Sequence, residues 1–148
     1  MAHSRTVIYV HCVWSTHRRK NLIPQKLLSE LWRYFVEIGR NKRIPVLAAG
    51  GMPNHVHLAI SLPATKAVAE VISIFKSNSS RWLKRRGVKG FEWQTGYGAF
   101  SFGMAQLDQV RRYIENQQEH HRQRTYEDEF LDMLRLAGVE FDPNEVFE

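Results

Sequence analysis

Two histidines, His55 and His57, are the residues in this chain best suited to chemistry. They alternate with the apolar residues Val56, Leu58 and Ile60, and a segment rich in glycine and proline precedes them. This alternation predicts a half-buried strand, because successive side chains point to opposite faces of a sheet. Both imidazoles then share one face with Cα atoms about 6.5 Å apart, close enough to bind one cation, and imidazole is the commonest protein metal ligand. The alternative is two polar residues on a solvated sheet face.

A second candidate pair is Tyr113 and Gln117, four residues apart in a segment with helical periodicity. Leu107, Val110 and Ile114 form the apolar stripe of that predicted helix, and the pair lies on one shoulder beside it. Residues four apart on a helix are neighbours in space. The alternative for Tyr113 is an interfacial tyrosine, half packed with its hydroxyl in water.

Length and composition predict a single domain over residues 1–148, with a core of ordinary size. The formal net charge of +6 favours a polyanionic partner, most often nucleic acid. Cys12 is the only cysteine, so no internal disulfide is possible and a cytoplasmic location is expected. No apolar run approaches the length of a membrane span, and the N-terminus does not resemble a secretory signal.

The elements that must position these residues follow from hydrophobic periodicity. The predicted order is strand, helix, strand, strand, helix, strand, and then two further helices, which is the split βαβ, ferredoxin-like (RRM-like) pattern of an α+β fold. The strands are predicted over 6–14, 46–49, 55–61 and 100–104, and the helices begin at 24, 68, 107 and 125. The last helix and the tail occupy about 125–148, with Thr125 as the N-cap and Gly138 at its end.

In this fold the antiparallel sheet carries the first two helices on one face. Those helices would cover Val56, Leu58 and Ile60, whereas the face with His55 and His57 stays open for a ligand or a later element.

The two motifs together resemble the HUH single-tyrosine nucleases, and specifically the small transposases of the insertion-sequence-200/605 type and the related REP-associated tyrosine transposases. In that family a His-hydrophobe-His pair and a glutamine on a later helix hold a divalent metal, and a tyrosine one helical turn before the glutamine is the nucleophile. The resemblance therefore implies that His55, His57 and Gln117 bind Mg²⁺ or Mn²⁺, that Tyr113 is catalytic, and that its helix packs on the second sheet face. It spans nearly the whole chain, through segments 11–19, 52–57, 93–101 and 113–121.

The resemblance also implies the reaction. Tyr113 would attack a phosphodiester of single-stranded DNA, often beside a hairpin, and leave a covalent 5′-phosphotyrosine and a free 3′-hydroxyl. A divalent cation would offset the charge that builds on the phosphate oxygens. Zn²⁺ also binds histidine pairs, so the donor types leave the metal open. A tyrosine hydroxyl with a pKa near 10 needs activation. His120 could act as an auxiliary base, or could instead contact phosphate or solvent.

Basic residues could supply the phosphate contacts that fix register without reading sequence. The alternative for each is an ordinary solvated charge. Trp93 and Tyr97 are candidates for base stacking, whereas Trp14, Trp32 and Trp82 fit apolar stripes. The candidate DNA-binding residues are Arg18, Arg19, Lys20, Lys76, Arg81, Lys84 and Arg85.

Other interpretations use the same motifs. A domesticated protein of this fold would bind hairpin DNA or RNA without cutting it, although such a protein need not keep all four site residues. Replication initiators and relaxases share the chemistry but usually carry extra domains. A homodimer with shared active sites is also expected, because the open sheet face and the amphipathic third helix need a partner surface. The sequence leaves open whether Tyr113 joins the histidines of its own chain or those of its partner.

Overall fold

Residues 2–147, which the computed structural model describes, build a four-stranded antiparallel sheet with helices on both faces. The strands are β1 (Tyr9–Ser15), β2 (Val46–Met52), β3 (His55–Ser61) and β4 (Gly98–Phe102), in the spatial order β2-β3-β1-β4. The helices are α1 (Leu28–Lys42), α2 (Val68–Arg85), α3 (Leu107–Glu115), α4 (Gln117–His120) and α5 (Tyr126–Leu136). This confirms the ferredoxin-like α+β fold expected from the sequence. Among these residues no helix is both long and apolar enough to cross a membrane.

The main core lies between the sheet and the pair α1 and α2. Alternation in the two central strands sends one set of side chains to this side, where the helices contribute their apolar stripes. Trp14, Phe35 and Phe75 are fully buried there and meet edge to face, with Trp14 and Phe75 both packed on Phe35. The strand residues of this core are Val10, Cys12 and Trp14 from β1 and Val56, Leu58 and Ile60 from β3.

The opposite sheet face, which the sequence left open, is covered within the same chain by α3, α4 and α5. Ile114 of α3 is fully buried against Ala48 and Ala59, with Val110 and Tyr113 packed beside them. The Arg111 Nε donates a hydrogen bond to the carbonyl of Leu47 at 3.2 Å, which fixes α3 to the β2 edge. The catalytic-helix position implied by the family resemblance is therefore the observed one.

Several boundaries differ from the sequence-based expectations. β2 runs to Met52 because its pairing with β3 continues to the Met52–His55 register. The extension of the fourth strand to Met104 was wrong, since β4 ends at Phe102 and Met104 begins a 3₁₀ turn. The third helix is broken at Asn116, whose φ of −103° and ψ of 26° separate α3 from α4.

The last helix matches the expectation closely. The Thr125 hydroxyl accepts a hydrogen bond from the Asp128 amide at 3.1 Å, as an N-cap does. Gly138 follows the helix with a φ of +73°, a conformation that glycine adopts without strain.

Gly50 is the point at which α3 comes closest to the sheet. A Cβ atom built on Gly50 would lie 2.1 Å from the carbonyl oxygen of Ile114, near the end of the helix that carries Tyr113. Only glycine allows this approach, so the residue type at position 50 sets the distance between α3 and β2.

We expect Gly50→Ala to lower the free energy of unfolding by about 1–3 kcal/mol, because overpacking forces the helix away from the strand. Urea denaturation measures this change. Gly96→Ala is the matched control, since the nearest atom to a Cβ there is 3.8 Å away. Equal stability of the two variants would contradict the steric role of Gly50.

Candidate active site

The two histidines of β3 lie side by side beneath the second layer of helices. His55 and His57 are both fully buried, and His57 sits opposite Val13 on β1 and Gly50 on β2. Their rings lie 5.1 Å apart between centroids. Burial, and then the neighbouring His57, lower the pKa of His55 to about 3, so this imidazole is neutral at physiological pH.

The hydrogen bonds of His55 fix which of its nitrogens carries the proton. Its Nδ1 lies 2.7 Å from the side-chain oxygen of Asn54, whose amide nitrogen donates to the carbonyl of Arg19. Because an amide oxygen only accepts, Nδ1 must donate. Nε2 of neutral His55 then presents a lone pair to the Gln117 Oε1, 3.0 Å away. Two lone pairs directed at each other with no proton between them suit a bound cation, so these residues fit a metal ion.

Tyr113 and Gln117 reach the histidines from α3 and α4. The Tyr113 ring lies 5.8 Å from the His57 ring and meets it edge to face. Gln117 is 1% exposed, and its Nε2 lies 3.4 Å from the Tyr113 carbonyl, as expected for residues four apart. The structure thus brings together all four residues that the sequence singled out.

Glu129 of α5 also enters this cluster, although it is a charged residue and only 2% exposed. Its Oε1 lies 2.8 Å from the His57 Nε2 and 3.3 Å from the His121 Nε2. Its Oε2 accepts hydrogen bonds from the Tyr113 hydroxyl and, at 3.1 Å, from the Gln117 Nε2. Burial alone would raise the pKa of Glu129, but the hydrogen bonds of His121 and His57 outweigh it and hold the pKa far below its usual range.

The pKa of Tyr113 is shifted upward, in the opposite direction to that of Glu129. Burial, and then the negative charge and hydrogen bond of Glu129, raise the pKa of the Tyr113 hydroxyl above its ordinary value of about 10. The hydroxyl therefore stays protonated and oriented toward Glu129 in this arrangement.

Comparison with known proteins places this geometry in a family. Residues 4–117 match the family model described as "Transposase IS200 like", a span that includes both histidines, Tyr113 and Gln117. The chain belongs to this IS200-like transposase family. It is 24% identical over 114 residues to the ISDra2 transposase TnpA of Deinococcus radiodurans, which covers 72% of this chain and 81% of the relative.

Solved structures agree with the transposase fold. A crystal structure of a Deinococcus radiodurans protein assigned as a transposase superposes with a TM-score of 0.58 at 22% identity, over 79% of this chain and 98% of that one. A REP-associated tyrosine transposase bound to a REP hairpin superposes with a TM-score of 0.52 at 17% identity, over 77% of this chain and 70% of that one. These likenesses establish the fold.

Sequence reasoning did not assign three further residues that lie in this cluster, namely His11, His121 and Glu129. The His11 Nε2 lies 2.8 Å from the His57 Nδ1, on the face that β1 shares with β3. Glu129 belongs to the acidic first turn of α5, yet it is buried together with Tyr126, three residues before it on the same side of the helix. This spacing from an aromatic residue was the available signal, because charged residues are rarely buried without partners.

The predicted auxiliary and DNA-binding residues lie in different settings. The centroid of the His120 ring lies 4.6 Å from that of the Tyr113 ring, and the two rings are tilted by 36°. Arg19 pairs with Glu127 at 2.8 Å, and the Lys76 Nζ donates to the carbonyls of Gln94 and Gly96, each at 2.8 Å. These contacts give Arg19 and Lys76 roles within the fold. The remaining candidates are exposed basic residues, Arg18 and Lys20 after β1 and Arg81, Lys84 and Arg85 toward the end of α2.

The two aromatic residues that were candidates for base stacking differ in their burial. Trp93 is 8% exposed and its Nε1 donates to the Ser79 hydroxyl at 3.0 Å, so it belongs to the core. Tyr97 is 40% exposed and stays a candidate for base stacking.

Tyr113 joins the histidines of its own chain in this structure. The four residues of the cluster therefore come from a single copy of the chain. The homodimer expected from the sequence stays a prediction, but its main argument, an uncovered sheet face, no longer holds.

The buried neutral histidines make the fold sensitive to acid. Burial, followed by His57, lowers the pKa of both His11 and His55 to about 3, against about 6.5 in the unfolded chain. Below pH 6.5 the unfolded chain binds protons that the folded chain does not, so stability falls as the pH falls from 6.5 toward 3.

Each histidine should remove roughly 2 kcal/mol of unfolding free energy between pH 7 and pH 5. Urea denaturation with a chelator present should show this decline, and His11→Gln should make it shallower by about that amount. His3→Gln, at an exposed histidine, is the control and should leave the slope unchanged. An unaltered slope in His11→Gln would contradict the assignment of His11 as a buried neutral imidazole.

Proposed function

We propose that this transposase cleaves and rejoins single-stranded DNA through a covalent bond to Tyr113. The observation that carries the proposal is the convergence of the Tyr113 hydroxyl with His55, His57 and Gln117 in one buried cluster. A nucleophile beside a set of neutral metal donors is the arrangement that metal-assisted phosphoryl transfer requires.

His55, His57 and Gln117 would hold a divalent cation, Mg²⁺ or Mn²⁺. All three offer neutral donor atoms, so the ion would keep its full charge. When bound, the cation would offset the negative charge that develops on the phosphate oxygens and favour loss of the tyrosine proton. Asn54 supports the set by holding the proton of His55 on Nδ1, which leaves Nε2 free to bind.

Tyr113 supplies the covalent step. Its hydroxyl would pass its proton to the Glu129 carboxylate, which accepts its hydrogen bond; its oxygen would bond to phosphorus, and the bond from phosphorus to the 3′-oxygen would break. The 3′ end leaves as a hydroxyl after taking up a proton, and the 5′ side stays attached as a 5′-phosphotyrosine. A 3′-hydroxyl can later attack that linkage and release Tyr113, which suits strand joining better than hydrolysis does.

The substrate we propose is single-stranded DNA beside a hairpin. A net charge of +6 supports a polyanionic substrate, and the REP-associated transposase of the same fold is described as bound to a REP hairpin. The exposed Arg18, Lys20, Arg81, Lys84 and Arg85 are the proposed phosphate contacts. Such contacts would orient the strand without reading its sequence.

Incubation of labelled hairpin DNA from the regions flanking the gene with Mn²⁺ should give a covalent adduct that persists in denaturing gels. Tyr113→Phe should lose the adduct and keep DNA binding, because only the nucleophilic oxygen is removed. Tyr34→Phe is the matched control, since Tyr34 stacks on Trp82 at the helix layer on the other face of the sheet. An undiminished adduct in Tyr113→Phe would exclude Tyr113 as the nucleophile. Binding without any adduct in the unaltered protein would favour a non-cleaving hairpin-binding protein instead.

A mixing experiment tests whether Tyr113 acts with the histidines of its own chain or with those of a partner. His57→Ala and Tyr113→Phe proteins should each be inactive, and we expect their mixture to stay inactive, because the Tyr113 ring lies 5.8 Å from the His57 ring of the same chain. Recovery of the adduct would show that the tyrosine helix is exchanged between subunits. Light scattering on the same samples reports whether a homodimer forms.

A further inference from the structure

We propose that His121 and Glu129 are also metal ligands, which extends the site to five donors. This inference rests on the proposed function, since it concerns the same cation. Both residues lie outside the part of the chain, residues 4–117, that matches the family model.

The hydrogen bonds of His121 repeat the pattern found at His55. The His121 Nδ1 lies 2.8 Å from the carbonyl oxygen of Arg124, which can only accept, so Nδ1 donates. The His121 Nε2 lies 3.0 Å from the Gln117 Oε1 and 3.3 Å from the Glu129 Oε1. Two imidazoles on different elements thus direct their Nε2 atoms at the same two oxygens.

The spacing of the donor atoms is that of ligands around one ion. The Glu129 Oε1 lies 2.8 Å from the His57 Nε2, 3.3 Å from the His121 Nε2 and 3.5 Å from the His55 Nε2. Gln117 Oε1 lies 3.0 Å from the Nε2 atoms of both His55 and His121. Mg²⁺ and divalent cations of similar radius bind nitrogen and oxygen at about 2.0–2.2 Å. The donor atoms of adjacent ligands in an octahedron are then about 3.0 Å apart. A hydrogen bond accounts for the His57 contact, but the His55 Nε2, whose proton is on Nδ1, faces the Gln117 Oε1 with no proton between the two atoms.

Glu129 adds the one negative charge among the five donors. A carboxylate strengthens the binding of divalent cations, and here its second oxygen accepts the hydrogen bond of the Tyr113 hydroxyl. The same side chain would therefore connect the bound ion to the nucleophile. The docking of α5 would then be part of metal binding.

The alternative is that Glu129 competes with the ion by occupying its place among the histidines. The two roles predict changes of opposite sign in the Kd for the metal when the charge of Glu129 is removed. Removing the charge of a ligand weakens metal binding, whereas removing a competing carboxylate strengthens it.

Mn²⁺ binding to the metal-free full-length protein, measured by calorimetry and by electron paramagnetic resonance of free Mn²⁺, tests the proposal without reference to activity. We expect Glu129→Gln and His121→Ala each to raise the Kd by about tenfold or more. Asp128→Asn is the matched control, because it removes a carboxylate from the exposed side of the same helix. An unchanged or lower Kd in Glu129→Gln and in His121→Ala overturns the proposal.

The His55→Ala, His57→Ala double variant separates this proposal from the proposed function. An unchanged Kd in the double variant would overturn the metal site as a whole, whereas a raised Kd there with unchanged Glu129→Gln and His121→Ala proteins would overturn only the additional ligands. A count of histidine ligands in the unaltered protein guards against misfolded variants. Electron spin echo modulation of bound Mn²⁺ should report three imidazoles, and two would overturn the role of His121.

Discussion

The burial of the Glu129 carboxylate is the interaction on which the second face of the sheet depends. A carboxylate removed from water costs several kcal/mol unless its oxygens are hydrogen-bonded. Here both oxygens are engaged, one by histidines and the other by Tyr113 and Gln117. Four elements must therefore keep fixed distances around one side chain: β3 holds His57, α3 holds Tyr113, α4 holds Gln117 and α5 holds Glu129 itself. Loss of His57, Tyr113 or Gln117 would each remove one partner from this buried charge.

The strands make this arrangement possible by separating apolar and polar chemistry. Along β3 the odd residues carry the histidines and the even residues carry the core, so one segment supplies both a packed interior and a polar site. Two glycines bring the helices close enough to use it. Gly50 admits α3 against β2, and Gly98 admits the Phe130 ring of α5, whose nearest carbon would lie 2.7 Å from an added Cβ. The cluster is thus buried because Gly50 and Gly98 have no side chain at the points where α3 and α5 pack on the sheet.

Local sequence signals predicted most of the fold and half of the cluster. Alternation identified the strands, apolar stripes identified the helices, and the His55–His57 and Tyr113–Gln117 spacings are local enough to be read without a structure. The remaining residues could not be found in this way, because their role depends on the packing of distant elements. Glu129 lies 72 residues from His57, and its helix shows ordinary N-terminal acidity in sequence. The break at Asn116 was missed for a similar reason, since helical periodicity continues across it while the backbone turns to bury Gln117.

Metal binding would be coupled to the stability of the helices that cover the second face of the sheet. In the metal-free chain the lone pair of the His55 Nε2 faces that of the Gln117 Oε1, an unfavourable contact that close packing holds in place. A cation accepted by these donors would remove that cost, so its binding free energy would add to the stability of the native arrangement. The main core as described contains no residue of α4 or α5, so this gain would add to the contacts that hold these two helices on the sheet. A bound ion and Tyr113 would be ordered together, because the Glu129 carboxylate that we propose as a ligand also accepts the hydrogen bond of the Tyr113 hydroxyl.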